Sequence, residues 1–186
     1  MTSAFDAARE FVMPDLRRMD RAAALRDYVE QAFDALHQPV FHYVRSLTGN
    51  AAEAEDITQD VFLRLHAELG RGRRVENLKP WCFKVAHNLA ASMGRRQKTQ
   101  DQYLAAAGEE PPPFEAGAEE NLLLKEQAGR IALAMEKLSP MERQCLYLRT
   151  EGLLYREIAE VLGVRVPSIQ TYLARAMKKV VKELHG

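Results

Sequence analysis

Cysteine is nearly absent: Cys82 and Cys145 are the only two in 186 residues. They share no metal-ligand spacing and are too few for a disulfide framework, so both are expected as reduced, buried thiols. No apolar run approaches the roughly 20 residues that a membrane helix needs. Residues 1–18 carry Asp6, Glu10 and Asp15 and no apolar stretch, which argues against a signal peptide and for a cytoplasmic protein. Alternating β-branched runs with hairpin turns are missing, so strands are not expected. Gly-rich phosphate loops, His-Glu-x-x-His and Cys–His nucleophile pairs are missing too. The sequence therefore points to no enzyme, no metal site, no cofactor and no small-molecule substrate.

Net charge is also absent, but only as a sum. Residues 1–69 carry a balance of −5, residues 70–100 of +7, residues 101–126 of −6 and residues 127–186 of +4. In the second block eight Lys and Arg face one acid, Glu76. Two basic blocks separated by an acidic one suggest two nucleic-acid contacts with something different between them.

What is present is helical periodicity. Leu25, Val29, Phe33, Leu36, Val40 and Val44 predict a first helix over 22–47, kinked or broken at Pro39. Thr48-Gly49-Asn50 stops it. A second helix is expected over 51–69 and a third from Lys79 to about Arg96, with the basic loop 70–77 between them. Glu109 to Gly117 is acidic, Pro-rich and poor in core formers, as a linker would be. Further helices are expected over 120–138, 140–150, 155–162 and 167–184, with Ser139 and Glu142 as a capping box. The fold class read from this is all-α: two small helical domains on a flexible linker. The boundaries are 1–20 for an unassigned arm, 21–100, 101–122 for the linker, and 123–186.

The second helix buries Ile57, Val61, Phe62, Leu65 and Leu69, and its other stripe is Asp56, Gln59, Asp60 and Leu63. That stripe is either a solvated polar face or a docking face for a basic partner, since it carries a Leu among acids and an amide. Around the third helix, Arg71, Arg73, Arg74, Lys79, Lys84, Arg95, Arg96 and Lys98 can neutralise phosphates. Trp81 and Phe83 sit among these cations, an arrangement that suits unstacked, single-stranded bases. Taken alone, Trp81 reads first as a core anchor, because a Trp side chain buries a large apolar area. Asn88 is either a surface amide or a base-edge reader, and His87 beside it an ordinary polar residue.

The segment from Leu138 to Leu184 is more specific. A short amphipathic helix ends at Gly163, which suits the left-handed backbone just past a helix end. Pro167 opens the next helix, where its missing N–H costs nothing. Ala159 is small where two helices cross. Ile158, Leu162, Val164, Ile169 and Leu173 point into one small core. This is the pattern of a helix-turn-helix, whose second helix lies in the DNA major groove. Ser168, Gln170, Thr171, Tyr172 and Arg175 lie on its outward face or edges, where Gln can read adenine and Arg guanine. Lys178, Lys179 and Lys182 fall toward phosphates, which position without specifying.

Taken in order, these motifs resemble bacterial RNA polymerase sigma factors of the extracytoplasmic-function (ECF) type, over nearly the whole chain from about Leu25 to Leu184. Asp56-Ile-Thr-Gln59-Asp-Val-Phe62 resembles the family's clamp-binding D-x-x-Q-[ED]-x-F. Lys79-Pro-Trp81-Cys-Phe-Lys-Val-Ala-His-Asn88 resembles its −10 element helix, and the segments from Leu138 and Glu151 its −35 domain. The resemblance implies domain 2 in residues 21–100 and domain 4 in residues 123–186. It implies that Asp56, Gln59, Asp60 and Leu63 contact the core polymerase at its beta' clamp, with the beta flap as a further contact. Arg71, Arg73, Arg74, Lys84, Asn88, Arg95 and Arg96 would bind the melted −10 element, Asn88 and the 70–77 loop holding a flipped base. Ser168, Gln170, Thr171, Tyr172, Arg175, Lys178 and Lys179 would bind the −35 duplex. The acidic linker would thread near the polymerase active site and RNA exit, and an anti-sigma factor is an implied partner.

The chain departs from the family on the recognition helix. Gln170 and Tyr172 stand where Lys or Arg is usual, Met177 where another basic residue is usual, and Arg165 where Ser usually caps the helix. Ala174 is small where the family often has a larger reader. Fewer cations predict weaker, less salt-dependent −35 binding. The sequence thus points to a factor for promoter-specific transcription initiation. Two alternatives are a sigma mimic that sequesters an anti-sigma factor and a helix-turn-helix repressor. The repressor leaves the Asp56–Gln59 and Trp81–Asn88 helices without a role.

Overall fold

Residues 21–101, 130–131 and 133–185 are those the computed structural model describes, with the side chains of 21, 95–101 and 185 excepted. The expected N-terminal arm, almost all of the acidic linker and most of the expected 120–138 helix lie outside the described residues. Every described element is a helix: α1 (Arg21–Thr48), α2 (Ala51–Gly70), α3 (Leu78–Asp101), α4 (Pro140–Thr150), α5 (Tyr155–Leu162) and α6 (Val166–His185). Residues 130–131 and 133–136 are also helical. The chain divides between residues 109 and 110 into two compact units, one holding α1–α3 and the other α4–α6.

In the first unit α1 packs on both α2 and α3, and those two pack on each other. The turn between α1 and α2 follows from three residues. Gly49 takes the left-handed backbone at φ 74°. Asn50 then caps α2, its side-chain oxygen accepting from the N–H of Ala52 at 2.9 Å and Glu53 at 3.2 Å, groups that otherwise lack an intrahelical partner. The α1 stripe is turned by one residue from the expected one over its first half. Ala24, Tyr28 and Ala32 are buried, whereas Leu25 and Val29 are only half-buried and Phe33 is 37% exposed. Two alanines let the neighbouring helices approach closely, and a Tyr ring fills the space between them. From Leu36 the expected stripe holds, through Val40 and Val44. Helix α1 also runs unbroken through Pro39. Leu36, Val40 and Tyr43, all buried, lie on either side of the proline, and burial on this scale outweighs a local helix penalty of about 3 kcal/mol.

In the second unit Ser139 caps α4 in the expected box. The Ser139 N–H donates to Glu142 Oε2 at 2.9 Å, and the Glu142 N–H donates to Ser139 Oγ at 3.4 Å. At the start of α5 the Glu157 carboxylate accepts from the Leu154 N–H at 2.7 Å. Gly163 ends α5 at φ 66°, its N–H returning to the Ala159 carbonyl. Ile158, Ala159, Val161 and Leu162 then face Ile169, Leu173 and Ala176 of α6 in one buried cluster. Each fully buried Ile or Leu there contributes about 2 kcal/mol of transfer free energy.

Candidate functional site

Three outward faces carry the residues singled out in the sequence. On α2, Asp56, Gln59, Asp60 and Leu63 occur at successive helical steps and are all exposed, Leu63 by 67%. Ile57, Val61, Phe62 and Leu65 hold the opposite side in the core. Glu55 sits one turn before Gln59, and its Oε1 accepts from the Gln59 amide nitrogen at 3.2 Å. The same oxygen lies 3.2 Å from His37 Nε2 on α1. Arg64 approaches Asp60 only at 3.9 Å. Both groups are exposed, so that pair contributes little.

The second face belongs to α3 and the loop before it. Cys82, Phe83, Ala86 and Ala90 turn inward. Phe83 is therefore core, contrary to its reading as a base-stacking ring. It meets Tyr43 edge-on, with ring centroids 5.3 Å apart. His87 also turns toward the core, with Nδ1 3.0 Å from the Tyr43 hydroxyl, and burial holds its pKa below the usual histidine value. Lys84 and Asn88 are exposed, and Trp81 is half-buried on the same side. Trp81 and Asn88 are seven residues apart and so nearly eclipsed along the helix. The side chains of Arg95 and Arg96 lie outside the described residues. In the loop, Arg71 and Arg73 both reach back to one carboxylate, Glu68, at 2.9 and 2.8 Å. Their hydrogen bonds hold Glu68 below the usual carboxylate range. Arg74 is exposed.

The third face is on α6. Ile169, Leu173 and Ala176 point into the core, which leaves Gln170, Thr171, Ala174, Arg175 and Lys178 exposed on the far side. Ser168 and Tyr172 are half-buried along one edge. Thr171 donates its hydroxyl proton back to the Pro167 carbonyl at 3.0 Å, so outwardly it offers an acceptor and a methyl. Lys179 falls on the same edge as Ser168 and Tyr172, and its ammonium turns inward. It donates to Glu142 Oε2 at 2.6 Å and to the Lys137 carbonyl at 3.1 Å. Glu142 is 4% exposed. The ammonium and the Ser139 N–H together hold its carboxyl below the usual range.

Three residues that matter here had no assigned role in the sequence. Glu55 and Glu68 lie close in sequence to Gln59 and to the arginines, so their spacing was a usable signal. His37 carries none, because its partner is on another helix. Both cysteines are buried, and burial pushes Cys82 up to about 12 and Cys145 to about 11, so neither is a thiolate near neutral pH. Among the described residues no helix is long and apolar enough to cross a membrane.

The sigma-70 region 2 family model matches residues 32–100, and the sigma-70, region 4 model matches residues 128–180. The chain is 25% identical over 163 residues to the ECF RNA polymerase sigma factor BldN of Streptomyces coelicolor, covering 85% of this chain and 61% of that one. It is 28% identical over 153 residues to the ECF RNA polymerase sigma factor SigE of Mycolicibacterium smegmatis, covering 76% and 55%. The chain thus spans less than two thirds of the length of these two relatives. Among solved structures, the sigma factor RpoE of Bartonella quintana, crystallised with the anti-sigma factor NepR, superposes with a TM-score of 0.69 at 22% identity, covering 86% of this chain and 97% of that one. That likeness concerns the fold.

Proposed function

The chain belongs to the sigma-70 family of bacterial RNA polymerase sigma factors, to its ECF type, and from that premise we propose that it binds core RNA polymerase and directs promoter-specific transcription initiation. Residues 21–100 act as domain 2 and residues 123–186 as domain 4, with 101–122 as the linker and 1–20 as an arm without an assigned role. Asp56, Gln59, Asp60 and Leu63 contact the polymerase clamp. Lys84, Asn88 and the loop arginines contact the melted −10 element, and Gln170, Thr171, Arg175 and Lys178 contact the −35 duplex. The protein works by binding rather than by catalysis, in the cytoplasm where the polymerase is. An anti-sigma factor, such as the one named with the Bartonella quintana protein, is a fitting partner.

The observation that carries this reading is the sorting of side chains within each motif. Asp56, Gln59, Leu63, Lys84, Asn88, Gln170, Arg175 and Lys178 are exposed, while the residues between them, Ile57, Val61, Phe83, Ala86, Ile169 and Leu173, are core. Residues of the first kind are those a base, a phosphate or a partner must reach. A sequestering mimic has no use for outward Asn88, Arg175 and Lys178.

The test is run-off transcription with core polymerase on a pool of promoter fragments, with and without the protein. Selective transcription of a subset is expected, and it yields the −35 and −10 sequences together. Core binding without transcription on any fragment points to a missing activator or an autoinhibited form. Absence of core binding overturns the reading in favour of the mimic or the repressor.

A further inference from the structure

His37, Glu55 and Gln59 form one connected chain of polar contacts spanning two helices. Glu55 Oε1 is shared, lying 3.2 Å from His37 Nε2 and 3.2 Å from Gln59 Nε2. The His37 ring has little freedom. Phe33 tilts against it at 4.5 Å between centroids, and Phe41 lies parallel to it, within 8°, at 6.4 Å. Phe33 is itself fixed by an edge contact with Phe62 of α2 at 5.0 Å. The His37 side chain is 16% exposed and that of Glu55 41%. A well-seated ring thus reaches across to a carboxylate that is otherwise free to swing.

The chemistry fixes which way the Gln59 amide faces. An ionised carboxylate only accepts hydrogen bonds, so the amide group toward Glu55 must be the NH2 and not the oxygen. The Gln59 carbonyl oxygen is then turned away from Glu55. With Asp56 and Asp60 on the same exposed face, it makes a row of acceptors that suits the cationic side chains of a partner.

We propose that His37 is a positioning residue for the polymerase-docking face. It anchors Glu55, Glu55 orients the Gln59 amide, and Gln59 presents its carbonyl to a donor on the polymerase. This rests on the docking role proposed above for α2. It adds a residue from α1 that makes no contact with the partner itself.

A double-mutant cycle on the full chain tests it, reading affinity for core RNA polymerase by fluorescence anisotropy. Gln59→Ala and His37→Ala are each expected to weaken binding about fivefold, the size of one mis-set hydrogen bond at an interface. The double variant is expected to be no weaker than Gln59→Ala alone, because His37 acts only through Gln59. His37→Gln keeps an N–H donor toward Glu55 and is expected to recover most of the loss. If His37→Ala has no effect while Gln59→Ala does, or if its effect is undiminished in the Gln59→Ala background, the positioning role is wrong and the docking face stands. If neither Gln59→Ala nor Asp56→Arg weakens binding, the docking face itself is wrong, and the positioning role with it.

Discussion

Lys179 Nζ lies 2.6 Å from Glu142 Oε2, and this ion pair separates two adjacent lysines into different jobs. Lys178 is exposed on the outward face of α6, whereas Lys179 serves a carboxylate that is only 4% exposed and also caps α4. Lys179→Met should therefore lower the stability of the second unit by about 1–2 kcal/mol, the ammonium being partly open to solvent. Lys178→Met should leave stability unchanged and reduce the salt slope of −35 binding by about 1. Thermal denaturation and salt titrations of the polymerase-bound protein separate the two. An equal drop in slope for both variants would assign Lys179 to phosphate after all.

Acid should unfold the two units in sequence. Burial lowers the His87 pKa in the folded state, so the unfolded chain takes up the proton first. The stability from neutral His87 is present above its ordinary value of 6.5 and is lost as pH falls below it. Glu142 is also lowered in the folded state. Its contribution is present above the ordinary value of 4.5 and is lost as pH falls through the lower folded value. Trp81 is the single tryptophan and lies in the first unit, so its fluorescence reports that unit alone while far-UV circular dichroism reports both. The fluorescence transition should come at the higher pH. Coincident transitions would count against the assignment.

Glu68 should hold down the salt dependence of single-strand binding. Arg71 and Arg73 both pair with its carboxylate, so when they move to phosphates the vacated Glu68 takes up a cation and offsets part of the counterion release from the strand. Glu68→Gln frees both. The slope of log K against log salt for a single-stranded −10 fragment should steepen by about 0.7, the value of one phosphate neutralised, since Glu68 carries one negative charge. An unchanged slope would mean that these arginines do not reach the strand.

The second unit was legible because its rules are local. A Gly past a helix end, a Pro in the first turn and a Ser–Glu capping box each act within four residues, and all stand where the sequence places them. The first unit was harder. On α1 the expected stripe took the strongest apolar residues, Leu25, Val29 and Phe33, while the core took Ala24 and Ala32, where the helices approach closely, with the Tyr28 ring filling the space between them. Phe83 misled in the same way: its neighbours on the inward face are Cys82, Ala86 and Ala90, residues too small to announce a buried stripe. Lys179 and His37 were illegible for another reason. Each finds its carboxylate on a different helix, and such pairings exist only once the helices are packed.

Gly163 should tolerate no side chain at full stability. Its φ is 66°, and a methyl group there would meet nothing within 4 Å. Gly163→Ala therefore isolates the backbone cost of the left-handed region, about 1 kcal/mol. Chemical denaturation of the second unit measures it. A neutral result would mean that the turn between α5 and α6 relaxes freely.

Asn88 and Lys84 share an exposed side of α3 with half-buried Trp81, yet the two should fail differently when removed. An Asn side chain offers both a donor and an acceptor, so it can hold one base edge and reject others. Lys offers only charge, which any phosphate satisfies. Asn88→Ala should slow promoter opening by about tenfold, within the range of one lost base-edge contact. It should leave core-polymerase affinity intact, since Asn88 lies on α3 and the residues proposed for docking lie on α2. Lys84→Ala should weaken opening on all promoters alike and lose its effect as salt is raised. Fluorescence of 2-aminopurine placed in the −10 element follows the opening directly. Opening at the normal rate with Asn88→Ala would remove Asn88 from base recognition and leave it a surface amide.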